Sequence, residues 1–197
     1  GPGIRTIIFL KGCFFRCKWC CNPESQNFEI EKMKVNGKIK SIGEDITVKE
    51  VLSEIEKDRA YYRRSGGGVT LSGGECLCQA DFCAELLKAL KKEGINTAVD
   101  TCGFVPRDAI DKVMPYTDIF LYDVKAFDKD VHIKSTGQSN ELILKNLKYI
   151  DSCNKSIEIR IPYVPDYNSD QIEKIAEFLK PLKNIKAVKV LPYHNYA

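Results

Sequence analysis

Residues 118–125 read DIFLYDVK. Ile119 to Tyr122 form an unbroken apolar run, short for a helix and without the polar alternation of a half-solvated strand. Such a run reads as a strand buried on both faces, as in parallel sheets. Asp123 and Lys125 follow at its carboxyl end, which is where parallel α/β folds build their sites. The same pattern recurs on either side, in RTIIFL (5–10), GVTLS (68–72), NTAVD (96–100), SIEIRIP (156–162) and AVKVLPY (187–193).

Helix signals lie between these runs. TVKEVLSEIEKDRAYYRRSG opens with Thr47 and Glu50 as a capping box and closes at Gly66. QADFCAELLKALKKEG sets Phe82, Leu86, Leu87 and Leu90 on one face and ends at Gly94, and Pro106 starts a further helix. SNELILKNLKYIDS and SDQIEKIAEFLKPL each begin with a serine suited to an N-cap. Six strand–helix units with right-handed crossovers imply an α/β fold with a parallel sheet, either open and doubly wound or a barrel. The polar, Lys-rich segment 26–46 reads as a loop or small excursion rather than a second domain. The GGG at 66–68 lacks the Gly-Lys-Ser/Thr of a phosphate loop and reads as a flexible turn.

The strand ends carry the chemistry. The first strand runs into GCFFRCKWCCNPES (12–25), with Cys13, Cys17, Cys20 and Cys21 inside nine residues. The others end in Ser72-Gly73-Gly74-Glu75, Asp100-Thr101-Cys102-Gly103, Asp123-Val124-Lys125, Arg160-Ile161-Pro162 and Tyr193-His194. Six polar ends at one rim describe a metal-bearing site in a barrel mouth. The cysteines could be a disulfide pair, a zinc site or an iron–sulfur site. Structural zinc wants four closed ligands, usually as two separated pairs, and no second pair with suitable spacing is present. Three thiolates on one loop suit three irons of a cubane cluster with the fourth iron open, and Phe14, Phe15 and Trp19 would shield it.

Composition bounds the rest. The 197 residues suffice for one substantial core, and 30 basic against 27 acidic side chains give a net charge of +3, too little to argue for nucleic acid or a membrane surface. No apolar run approaches the roughly 20 residues of a membrane helix. The opening GPGIRTIIFLKGC is not built as a signal peptide, so the cytoplasm is the expected home. Nine cysteines cannot all pair internally, and in a reducing compartment clustered cysteines serve metals or catalysis. Cys76, Cys78, Cys83, Cys102 and Cys153 are scattered and read as small buried hydrophobes. Both ends look abrupt, and 1–197 is expected to be a single domain incomplete at either end.

Cys13-x₃-Cys17-x₂-Cys20, with an aromatic residue before the third cysteine, resembles the radical S-adenosylmethionine superfamily signature. GPGIRTIIFLKGC, CNPES, SGGGVTLSGGE, DTCGF, DVKAFDKDVHIKSTGQSN and LPYH together resemble the glycyl-radical-enzyme activating enzymes. The resemblance implies a partial (βα)6 barrel of parallel strands, with a [4Fe-4S] cluster on Cys13, Cys17 and Cys20 and Cys21 a bystander. It implies S-adenosylmethionine on the open iron, contacted by Gly73, Gly74, Glu75, Asp100, Asp123, Lys125, Arg160 and His194. Asp100, Thr101 and Asp123 would hold a monovalent cation. Cys76 stands where the family usually has Pro, and His132 matches a family helix in a packing or partner-contact role. The implied reaction is reductive cleavage of S-adenosylmethionine to place a glycyl radical on a partner glycyl-radical enzyme. Flavodoxin or ferredoxin would donate the electron, and the protein would act as a monomer. CKWCCNPES is similar to activators with a ferredoxin-like insert, yet residues 26–46 contain no cysteine, as in the insert-free type. Either this is a short-loop member or the insert has been lost or removed, and the subclass stays open. Two rivals are a radical enzyme acting on a small molecule and a non-catalytic zinc- or cluster-binding interaction module.

Overall fold

All six apolar runs form strands. The computed structural model describes residues 1–35 and 37–193, so His194 lies outside the described residues. The strands are β1 (Arg5–Leu10), β2 (Glu31–Val35), β3 (Lys38–Ile42), β4 (Gly68–Gly73), β5 (Asn96–Thr101), β6 (Ile119–Asp123), β7 (Ser156–Tyr163) and β8 (Ile185–Pro192). The helices are α1 (Val48–Glu56), α2 (Arg59–Ser65), α3 (Ala80–Lys92), α4 (Arg107–Val113), α5 (Lys129–Thr136), α6 (Glu141–Ser152), α7 (Pro165–Asn168) and α8 (Ile172–Leu179).

Six strands make one wholly parallel sheet in the order β1-β4-β5-β6-β7-β8. Residues from the ends of all six strands and the loops after them line one cleft, so the sheet curls around it. β1 and β8 do not pair with each other, which leaves the partial barrel open on one side. The convex face carries Val69, Leu71, Val99, Phe120, Tyr122, Ile157 and Ile159, packed under Leu86, Leu90, Ile110, Leu147 and Ile175 of the helices. At about 25 cal/mol per Å² of apolar surface, this layer is the main favourable term in the fold.

The capping box is present: Thr47 N donates to Glu50 Oε2 at 2.8 Å and Glu50 N to Thr47 Oγ1 at 3.3 Å. The expected single helix 48–65 breaks at Lys57–Asp58, where Asp58 Oδ2 accepts from Thr6 Oγ1 of β1 at 2.6 Å. Neither expected serine is the N-cap. Asn140 holds that position for α6, with Ser139 one residue before it accepting from Glu141 N, and Ser169 opens a short 3₁₀ turn so that α8 starts only at Ile172. Segment 26–46 is more ordered than the expected loop. β2 and β3 form an antiparallel hairpin, pairing Glu31 with Ile42 and Lys34 with Ile39.

Candidate active site

The cysteine loop is moored from two directions. Gly12 N and Cys13 N donate to Ser25 O (2.8 Å) and Gln26 O (3.0 Å), folding the loop back on itself. Arg16 N and Lys18 N donate to Thr136 O (2.8 Å) and Ser135 O (3.0 Å). The last carbonyls of a helix have no intrahelical partner, so α5 offers acceptors and the loop supplies donors. Between these anchors Phe15 is buried against Phe104 (5.3 Å between ring centroids) and edge-on to His132 (5.5 Å). His132 Nδ1 donates to Gln138 O at 2.7 Å, and burial lowers its pKa, keeping the ring neutral. The helical His-x-x-x-Thr-Gly segment is therefore the platform of the loop, in keeping with the packing role expected for His132.

Cys13, Cys17 and Cys20 line one face of a cleft of about 240 Å³, with Phe15, Trp19 and Cys21 beside them. Trp19 is buried edge-on against Tyr167. The same cleft is lined by a chain of polar strand ends. Ser72 Oγ donates to Asp100 Oδ2 (2.8 Å), and Arg160 Nη2 meets Asp100 Oδ1 (2.9 Å). Arg160 Nε donates to Asp123 Oδ1 (3.0 Å) and Lys125 Nζ to Asp123 Oδ2 (2.7 Å). Parallel register sets Asp123 beside Arg160 on neighbouring strands. Burial opposes the Asp123 carboxylate, but Lys125 and Arg160 outweigh it and hold its pKa below the usual range. Burial, and then the neighbouring Asp123 charge, push Asp100 up to about 6. Lys125 and Arg160 are raised despite burial, because Asp123 faces both. Asn168 ties this wall together, donating to Lys125 O (2.7 Å) and Pro162 O (2.6 Å).

The Gly-Gly-Glu turn joins the two sides. Gly73 has φ +121°, and a Cβ there would lie 2.1 Å from Leu10 O. A Cβ on Gly74 would lie 2.5 Å from both Gly12 O and Ser25 O, so only glycine lets the turn slide under the cysteine loop. Both glycines line the cleft. Glu75 does not: its side chain is buried, accepting from Thr101 Oγ1 (2.7 Å), Cys102 N (2.8 Å), Cys102 Sγ (3.0 Å) and Leu77 N (3.1 Å). Asp100, Thr101 and Asp123 likewise do not converge as a free oxygen cage. Thr101 spends its hydroxyl on Glu75, and both carboxylates are paired with Arg160.

Among the remaining cysteines, Cys76, Cys83 and Cys102 are buried as expected, whereas Cys78 and Cys153 are partly exposed. Asn168 and His132 are parts of the site that the residue pattern did not single out as such. His132 stood inside a quoted motif, but Asn168 lies in an ordinary polar stretch with no signal of its own.

The donor set fits an iron–sulfur cluster. Three thiols of one loop share one wall with aromatic cover, and soft thiolates are the usual ligands of such clusters. Burial pushes the Cys17 thiol up to about 11 and raises Cys13, so loading a metal there must release protons.

The sequence matches the Radical SAM superfamily over residues 7–179. It is 39% identical to the trans-4-hydroxy-L-proline dehydratase activating enzyme of Clostridioides difficile, over 99% of this chain and 80% of that protein. It is 37% identical to the pyruvate formate-lyase-activating enzyme of Staphylococcus epidermidis, over 98% of this chain and 76% of that one. The first match runs over 244 positions and the second over 202, so the dehydratase activator carries a long stretch without counterpart here. A solved domain of pyruvate-formate lyase-activating enzyme from Bacteroides vulgatus is similar with a TM-score of 0.61 and 36% identity, covering 66% of this chain and 82% of that chain. The chain belongs to the radical SAM superfamily and, within it, to the glycyl-radical-enzyme activating enzymes.

Proposed function

We propose that Cys13, Cys17 and Cys20 hold the [4Fe-4S] cluster of this activating enzyme and that the Asp100–Arg160–Asp123–Lys125 wall receives S-adenosylmethionine. One observation carries the reading: the three-cysteine loop and that ion-paired wall line a single cleft. When bound, the cluster supplies the electron that splits S-adenosylmethionine into methionine and a 5′-deoxyadenosyl radical, which takes a hydrogen atom from a glycine of the partner glycyl-radical enzyme.

The chain's own residues do the positioning. Lys125 and Arg160 hold their charge near the cleft and suit a carboxylate, the planar guanidinium in particular. Gly73 and Gly74 bring backbone close to the ligand without side chains in the way. Phe15, Trp19, Val164 and Leu191 line the same cleft and exclude water that would quench a radical. Among the described residues the outer edges of β1 and β8 are unpaired, which leaves room for a segment of a large protein substrate to reach inside.

Reduced flavodoxin or ferredoxin is the proposed electron source, and the active form is proposed to be a monomer. No described helix is long and apolar enough to cross a membrane. All nine cysteines are free thiols, which fits a reducing compartment and supports the cytoplasm as the site of action. The test is electron paramagnetic resonance on a glycyl-radical enzyme mixed anaerobically with the reconstituted, reduced protein and S-adenosylmethionine. A glycyl radical doublet in the partner supports the reading. Nucleoside formation with no radical in any glycyl-radical enzyme tried, together with conversion of a small molecule, would replace it.

A further inference from the structure

The β2–β3 hairpin adds nothing to the core. Its described side chains are exposed or half-exposed, with Ile39 exposed to 76%, and a free two-stranded hairpin is marginal by itself. Packing therefore does not dictate its composition, which is one-sided: Lys32, Lys34, Lys38 and Lys40 are all exposed. None of the four is ion-paired among the described residues. Among the same residues some exposed lysines on the helices are ion-paired, as in Lys112–Asp81 and Lys129–Glu141, while others such as Lys49, Lys88 and Lys134 are not. What sets the hairpin apart is four unpaired lysines within nine residues.

The hairpin's base is fixed to the cysteine loop. Cys13 N donates to Gln26 O, Lys11 bridges to Glu31 (3.2 Å), and Phe28 packs on Phe14 (5.4 Å). Those two rings stay half in solvent, at 52% for Phe14 and 49% for Phe28. Fully extended, the eight steps from Gln26 to Lys34 reach at most about 29 Å. By register Lys32 and Lys34 share one face of the ribbon and Lys38 and Lys40 the other. A protein face of ordinary interface size, about 800 Å², therefore reaches the outer side of the loop and one such pair, while the second pair adds to the long-range attraction.

We infer that this hairpin and the Phe14–Phe28 pair form the docking surface for an acidic one-electron carrier protein. Four uncompensated positive charges attract an acidic face, and the exposed rings give the contact an apolar centre with a charged rim. Docked there, the carrier lies against the loop proposed to hold the cluster, and it loses one electron for each S-adenosylmethionine cleaved. The inference rests on the proposal that a carrier protein is the electron source.

The experiment compares the reconstituted wild type with Lys32→Glu/Lys34→Glu/Lys38→Glu/Lys40→Glu and the corresponding four Lys→Gln changes. Each makes 5′-deoxyadenosine, driven by dithionite or by a chemically reduced bacterial flavodoxin. The expected result is an unchanged dithionite rate, with kcat/KM for flavodoxin lowered roughly tenfold or more by Glu at low salt and less by Gln. The difference should shrink toward 1 M salt, where screening acts within about 3 Å. Equal use of flavodoxin by all three proteins would overturn the surface and leave the carrier reading standing. Failure of the wild type itself with flavodoxin, while dithionite works, would overturn both. Normal flavodoxin-driven nucleoside formation with a loss confined to radical formation in the partner would assign the hairpin to the glycyl-radical enzyme instead.

Discussion

The cysteine loop and the ends of β5, β6 and β7 line one cleft, yet they are held in place by different means. The wall is complete without any ligand: two carboxylates, a guanidinium and an ammonium satisfy one another through contacts of 2.7 to 3.0 Å. The loop is positioned by its backbone, through α5 and the return strand of its own turn, while burial keeps its Cys13 and Cys17 thiols protonated. One side is pre-organised; the other would be completed by the proposed cluster. Changes to the wall should thus spare cluster loading and harm ligand binding, and changes to the loop should do the reverse.

The strongest break of the wall is Asp123→Asn. It strands Lys125 and Arg160 as buried charges without their shared partner, a loss of about 3–5 kcal/mol for a buried pair. Urea unfolding of the metal-free protein should show that loss, whereas iron content after reconstitution per folded protein should stay at the wild-type level. Gly74→Ala attacks the seam between the two sides. A methyl 2.5 Å from Gly12 O and Ser25 O forces the loop outward, at a cost of about 3 kcal/mol. Here iron loading and stability should fall together.

The pH dependence sharpens the contrast. Asp100 carries a folded-state pKa near 6 against an unfolded value of 3.8. Its contribution is fully present below the unfolded pKa and lost as pH rises through about 6, on the order of 2 kcal/mol. In the metal-free protein, wild type should therefore lose stability relative to Asp100→Asn between about pH 4 and pH 6, with parallel curves above. Unfolding midpoints across that range check it. The smallest effect lies away from the cleft: Thr47→Ala removes the capping box of α1 and should cost about 1 kcal/mol, with nucleoside formation unchanged.

How far the sequence spoke follows the same division. DIFLYDVK and its five counterparts announced the parallel sheet because strands buried on both faces must be apolar throughout, and their polar ends did meet at one rim. The cysteine spacing stood out as readily, since three thiols at C-x₃-C-x₂-C on one loop suit few roles other than metal binding. Silent in the sequence were features set by distant partners. Glu75 turns away from the cleft because Thr101 and Cys102 present donors to it from another strand. The α1–α2 break follows from Asp58 reaching Thr6 across the fold. The hairpin, by contrast, was legible and went unread: Met33, Val35 and Ile39 alternate with lysines on either side of Asn36-Gly37, a strong hairpin signal that the Lys-rich composition masked.

The most direct test of the central claim is iron and sulfide content, with 5′-deoxyadenosine formation, in anaerobically reconstituted wild type, Cys17→Ala and Cys21→Ala. The expected result is a full cluster and reductive cleavage of S-adenosylmethionine in wild type and Cys21→Ala, with both lost in Cys17→Ala. Cluster and nucleoside retained in Cys17→Ala, or lost equally in Cys21→Ala, would contradict the assignment of the loop.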